Sequence, residues 1–182
     1  MQIANAQQDL SQAYVRGAPG VFVSGIVWLV AGGLWQTQGL VTGFTALFVG
    51  GILIFPVSTL VCRVVFRAPK AASGNPLERL ALESTFVLFA GIFLAWCMLQ
   101  VAPELAFPAM AVIIGVRYFI FRTVYGNPIY WILGATLAAV GVLAALNVVV
   151  LPINLALLIG AVEIVLSLVI FQFGKGRTQI PA

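Results

Sequence analysis

The sequence predicts an all-α integral membrane protein, with six transmembrane helices arranged as three tandem antiparallel hairpins. Three observations predict it: the composition, the apolar runs and the placement of the charges. The 182 residues are 62% hydrophobic and 8% charged, with a mean hydropathy of +1.12. A soluble domain carries about 25% charged residues because its surface faces water. So few charges cannot cover a soluble particle, so lipid surrounds most of this chain. A soluble enzyme, a nucleic-acid binder and a disordered chain are all excluded.

Along the chain, residues 1–16 are polar and Gln-rich, with no basic cluster leading into an apolar run, unlike a cleavable signal peptide. Ile3, Ala6, Leu10 and Ala13 recur at helical spacing, which reads either as a short amphipathic helix on the membrane surface or as a frayed tail. Residues 17–173 form the transmembrane domain. Its apolar runs are 20–35, 39–62, 81–101, 105–121, 129–150 and 153–173. Each approaches or exceeds what is needed to cross about 30 Å of hydrocarbon. Helices satisfy their own backbone there, and no barrel-like alternation is present. Residues 174–182 are a polar tail.

Six crossings place both termini on one side, together with the 63–80 and 122–128 loops. Arg16, Arg63, Arg67, Lys70, Arg79, Arg122, Lys175 and Arg177 then share that side, with Arg117 near it. The opposite loops, 36–38, 102–104 and 151–152, contain no Lys or Arg. The positive-inside rule makes the basic side cytoplasmic, so the expected location is a bacterial inner membrane. The net charge of +4 is then an orientation signal. It implies contact with anionic lipids on the cytoplasmic side and needs no nucleic-acid partner. Trp35 and Trp96 near the outer boundary, and Tyr125, Tyr130 and Trp131 near the inner one, fit aromatic belts.

A block also recurs. Phe55-Pro56 precedes Gly74-Asn75-Pro76 by the same spacing as Phe107-Pro108 precedes Gly126-Asn127-Pro128, a period of 52 residues. Gly17-Ala18-Pro19 opens the first hairpin in the same way, and Pro152 stands at the start of the last span. Proline suits a first helical turn and asparagine caps its free N–H groups. Duplication explains the identical spacing, and convergence on a helix-start device is the other explanation. Pro56 and Pro108 are expected to bend spans two and four. In plan the chain is similar to small bacterial acid-resistance membrane proteins built from tandem two-helix repeats. With its Gly-rich first span and Gly-Asn-Pro loops, it resembles uncharacterised six-span bacterial membrane proteins of unknown function. Both resemblances imply architecture and neither implies an activity.

The candidate buried polar site consists of Glu163, Arg117, Glu83 and Ser167. Glu163 falls mid-way along the last span, where an ionisable group is costly and faces the bundle interior or a water-filled cavity. Ala156, Gly160, Glu163 and Ser167 form one stripe of small and polar residues, a face that another helix can approach. Glu163 reads either as a hydrogen-bonded neutral acid or as a proton- or cation-binding group. Arg117 either snorkels to the headgroups, pairs with Glu163 or Glu83, or contacts a substrate. Glu83 lies one turn beyond Arg79, an i,i+4 pair. Gly134, Ala138, Gly141 and Ala145 form a second small-residue stripe, read as a helix–helix seam.

Histidine is absent, Asp9 is the single aspartate, and Cys62 and Cys97 make no metal-binding spacing. No catalytic motif, cofactor or metal is expected, so an enzyme is the least favoured class. The leading expectation is a non-enzymatic inner-membrane component, acting in envelope stress or as a partner subunit. It is expected to be a homo-oligomer, because a bundle this small has little interior. The alternative is a small transporter or channel for a proton or small molecule, working through Glu163.

Overall fold

A computed structural model describes residues 2–148 and 153–173, which form helices and no strands. The helices are α1 (Ile3–Ala13), α2 (Ala18–Gln38), α3 (Leu40–Val64), α4 (Pro76–Val101), α5 (Ala106–Tyr125), α6 (Ile129–Ala145) and α7 (Leu155–Phe173). The recurring turn residues set the starts of α4 and α6. Gly74 and Gly126 both take left-handed φ, +81° and +66°, which glycine adopts without strain. The next residue then caps: Asn75 Oδ1 accepts from Leu77 N and Asn127 Oδ1 from Ile129 N, both at 3.0 Å. The two Gly-Asn-Pro segments therefore fold into the same local device. Gly39 alone, at φ +98°, separates α2 from α3.

Five helices, α2, α3, α4, α5 and α7, are long and apolar enough to cross a membrane, with the short 3-10 turns ahead of α2 and α5 included. The sixth, α6, has 17 residues, about 25 Å of rise. It stops at Ala145, whereas the sequence predicted a span to 150. Asn147 turns into the left-handed region at φ +52°, and the valines that follow are poor helix formers. Residues 149–150 of that predicted span, the 151–152 loop with Pro152, and the 174–182 tail with Lys175 and Arg177 lie outside the described residues. α6 still runs from one end of the bundle to the other. At the basic end the Tyr130 hydroxyl donates to the Arg16 carbonyl at 2.8 Å. At the far end Gly141 lies against the backbone of Pro108.

The first two predicted hairpins pack as pairs: Gly43 and Gly50 of α3 against α2, and Gly91 of α4 against Ile113 of α5. The third does not. α6 and α7 touch little, while α6 packs on α5 and α7 packs on α2. The reason is where close approach is available, since packing in lipid follows small residues. Gly115 of α5 meets Gly134 of α6 backbone to backbone, and Gly25 of α2 meets Gly160 of α7 in the same way. The helices thus form two groups, α3–α2–α7 and α4–α5–α6. They join along α7 and around Phe107 of α5, on which Trp35 stacks at 4.6 Å and against which Phe44 sits edge-on at 5.7 Å. Pro108 occupies the first turn of α5, where it disturbs no helical hydrogen bond and so bends nothing; Pro56 lies inside α3.

Residues 3–13 form the short amphipathic helix of the first reading, and α1 folds across the basic end of the bundle. Its apolar stripe is used on protein, with Ala6 and Leu10 packed against Leu77 and Val124. Its polar face caps α5: Gln7 donates to the Thr123 carbonyl at 2.7 Å and Ser11 to the Tyr125 carbonyl at 2.9 Å. Asp9 accepts from Ala72 N and from Asn75 Nδ2, and Asn75 also donates to the Ala6 carbonyl. The link to α2 is tight. Val15, Arg16 and Gly17 take φ of +50°, +59° and +76° in succession, an outlier for a β-branched valine.

Candidate functional site

The buried polar site grows out of the α2–α7 seam. Gly25 and Gly160 allow the two backbones into contact, and a Cβ added to either would stand about 2.8–2.9 Å from the other's carbonyl oxygen. That approach brings Ser24 of α2 alongside Glu163 of α7. Glu163 is 0% exposed, at the ninth of the nineteen positions in α7. Its Oε1 accepts from the Tyr118 hydroxyl of α5 at 2.6 Å. The buried Ser24 hydroxyl lies beside both groups. Oε2 is enclosed and has no hydrogen-bond partner among the described residues. No ion pair reaches the carboxyl among those residues either. An unpaired charge in such surroundings is expensive.

From this acid a column of aromatic rings leads to the basic end. Tyr118 lies 5.9 Å from Tyr130, and Tyr130 stacks on Tyr125 at 5.6 Å. Tyr130 is 0% exposed and holds the strained turn before α2 through its hydroxyl. It is therefore part of the interior and not of an aromatic belt. Trp35 is likewise stacked on Phe107, whereas Trp96 and Trp131 are exposed on the outside of the bundle.

The sequence grouped Glu163 with Arg117 and Glu83, and the structure separates them. Arg117 donates from Nε to Ser84 Oγ and from Nη2 to Thr85 Oγ1, both at 3.2 Å, with its guanidinium 5.0 Å above the Phe121 ring. Its chain neighbour Tyr118 points about 100° around the helix and takes the acid instead. The arginine does not snorkel. Arg117 stands eight residues from the basic end of α5 and Ser84 eight residues from that of α4, so both lie about 12 Å in and the side chain runs sideways. Glu83 is exposed on α4 and makes no ion pair with Arg79 among the described residues. Ser167 is buried on the Glu163 stripe but donates to the Ile164 carbonyl of its own helix at 2.7 Å.

Tyr118 and Ser24 were missed by the sequence reading. Each carries a signal in hindsight. Ser24 adjoins Gly25 on the glycine face of α2, and Tyr118 lies seven residues from both the buried Ala111 and Tyr125 on the inner face of α5. No group of metal-ligating side chains occurs among the described residues.

Residues 3–173 match a family described as "Family of unknown function (DUF7010)", and the chain belongs to that family. No curated protein and no solved structure matches it.

Proposed function

For this member of the DUF7010 family, we propose a six-span, non-enzymatic protein of a bacterial cytoplasmic membrane that carries a proton or small cation on Glu163. One observation carries the reading: Glu163 is wholly enclosed at mid-helix, with one oxygen on Tyr118 and the other unpartnered. A packing role would be complete with both oxygens satisfied, and here one acceptor is left for a bound species. An intramembrane acid in this state is a transport or relay group by default. Six crossings are supported by α6, which connects the basic end to the Pro108 end despite its length. The basic end, with α1 folded over it, faces the cytoplasm and its anionic lipids by the positive-inside rule. An enzyme is disfavoured because one carboxyl and two hydroxyls supply no evident nucleophile with its base.

The test is proton flux into liposomes that hold the purified protein and an enclosed pH dye. An acid jump is expected to give flux with the wild type, and Glu163→Gln to abolish it without lowering the amount of folded protein. Wild-type liposomes no leakier than empty ones would overturn the reading. A stoichiometric protein partner retained through purification would then support the component role in its place.

A further inference from the structure

The two helix groups are closed along α7 and parted along the opposite edge, where α3 and α4 hardly touch. The rings of Phe48 and Trp96, 6.5 Å apart, bridge that edge toward the end away from the basic loops. This contact fixes which sides face each other. On α3, Gly51 and Phe55 follow Phe48 by three and seven residues, on the same side. A Cβ at Gly51 would meet nothing within 4 Å, and Phe55 is 67% exposed. On α4, Thr85 precedes Trp96 by eleven residues, three turns back on the same side. Below the Phe48–Trp96 bridge the edge is therefore a cleft that opens sideways to the bilayer.

Arg117 stands on the wall of this cleft. Its Nη2 bonds to Thr85 on the α3-facing side of α4, away from Glu83. Phe55 lies nine residues from the basic end of α3 and Arg117 eight from that of α5, so they stand at about the same depth. Two of the five guanidinium N–H groups are used on Ser84 and Thr85, and Nη1 is neither bonded nor enclosed among the described residues. No acid approaches it there: Asp9 is held by α4's cap and Glu163 by Tyr118. A fixed cation at this depth is costly without a counter-anion, and the described residues bring none to it. From that level to the Phe48–Trp96 bridge α3 runs for about 10 Å past the open space at Gly51.

We propose that the α3–α4 cleft is a binding site for one anionic phospholipid of the basic-side leaflet. Its phosphate is seated on Arg117 and one acyl chain runs past Phe55 and Gly51. Arginine's planar fork suits a phosphate, and the Ser84 and Thr85 hydroxyls orient it. The site shares no residue with Glu163 and stands or falls separately from the transport reading.

The test is retained lipid, read by native mass spectrometry after purified protein is exchanged into micelles with equal phosphatidylglycerol and phosphatidylcholine of matched chains. One phosphatidylglycerol per chain is expected, favoured about tenfold over phosphatidylcholine. Arg117→Gln should remove that preference. Gly51→Phe, which fills the cleft and leaves the guanidinium in place, should remove it too, so the outcome survives an Arg117 variant that fails to fold. Arg79→Gln, at the exposed basic end, should retain it. The proposal is overturned by the absence of a wild-type preference or by a preference that persists in Gly51→Phe. It is also overturned by equal loss in Arg79→Gln, which would mean diffuse surface charge, or by displacement with millimolar inorganic phosphate, which would mean a soluble-anion site.

Discussion

The α2–α7 and α5–α6 seams use the same device and differ in one respect. In both, facing glycines let the backbones touch: Gly25 with Gly160, and Gly115 with Gly134. The α5–α6 contact carries the buried hydroxyls of Tyr118 and Tyr130 near those glycines, but no acid of its own. The α2–α7 contact carries Ser24 and the enclosed Glu163 beside them. Close packing in lipid therefore does not require an acid on the packed pair, because the sister seam achieves it with hydroxyls alone. Glu163 adds a burial cost that α5–α6 avoids, and this is the physical reason for assigning it work beyond packing.

The largest expected effect breaks both seams alike. Gly160→Leu would drive a side chain into Gly25 and Leu29, and Gly134→Leu into Gly115 and Phe119. Each should cost about 3 kcal/mol or more, since no flexible neighbour alone can make the room. Gly33→Leu, which meets open space, should stay within about 0.5 kcal/mol. Reversible unfolding in bicelles measures all three. Unequal damage from Gly160→Leu and Gly134→Leu would show that the two seams are not equivalent.

The next test converts one seam into the other. Glu163→Met leaves the Tyr118 hydroxyl buried without its acceptor, and should destabilise by about 1–3 kcal/mol. Adding Tyr118→Phe removes the orphaned group. The double variant should return to wild-type stability or exceed it by about 1 kcal/mol, as buried polar pairs often do when replaced by apolar groups. A double variant that stays as unstable as the single one would mean that Glu163 is needed for packing after all.

How much of this was legible in the sequence depends on whether the determinant is local. Helix starts at Gly-Asn-Pro, the small-residue stripes on α6 and α7, and the buried position of Glu163 all follow from residues a few places apart. The partners do not. That α7 joins α2, and α6 joins α5, is decided by which glycine faces find each other across more than a hundred residues in the first case. Composition left Arg117 as an attractive mate for Glu163, since charge carries no direction. One step around α5 gives Tyr118 the acid and leaves Arg117 to hydroxyls on α4. The docking of α1 was equally non-local: its stripe was visible, but Leu77 and Val124, which cover it, were not.

That geometry makes a sharper statement about the charges. Arg117 and Glu163 share no partner, so the cycle of Glu163→Gln with Arg117→Met should show coupling below about 0.5 kcal/mol. The cycle of Glu163→Gln with Tyr118→Phe should show about 1–2 kcal/mol, the scale of a bond to a carboxyl. Coupling in the first cycle comparable to the second would place the acid in a charge pair and return the α2–α7 seam to a structural role.

The smallest effect isolates the Ser24 hydroxyl. It is buried beside the carboxyl and Tyr118, and it belongs to the seam whether or not the acid is present. Ser24→Ala should cost about 0.5–1 kcal/mol in the wild type, the net worth of one polar contact. In the Glu163→Met, Tyr118→Phe background it should cost nothing or stabilise slightly, because the hydroxyl would then be the only polar group left facing an apolar seam. The sign of that second number separates two accounts of the site. A cost that persists unchanged would mean that Ser24 serves its own helix, and the polar group beside Gly25 would be a pair. A cost that vanishes with the acid makes Ser24, Tyr118 and Glu163 one unit, which α5–α6 has no counterpart for.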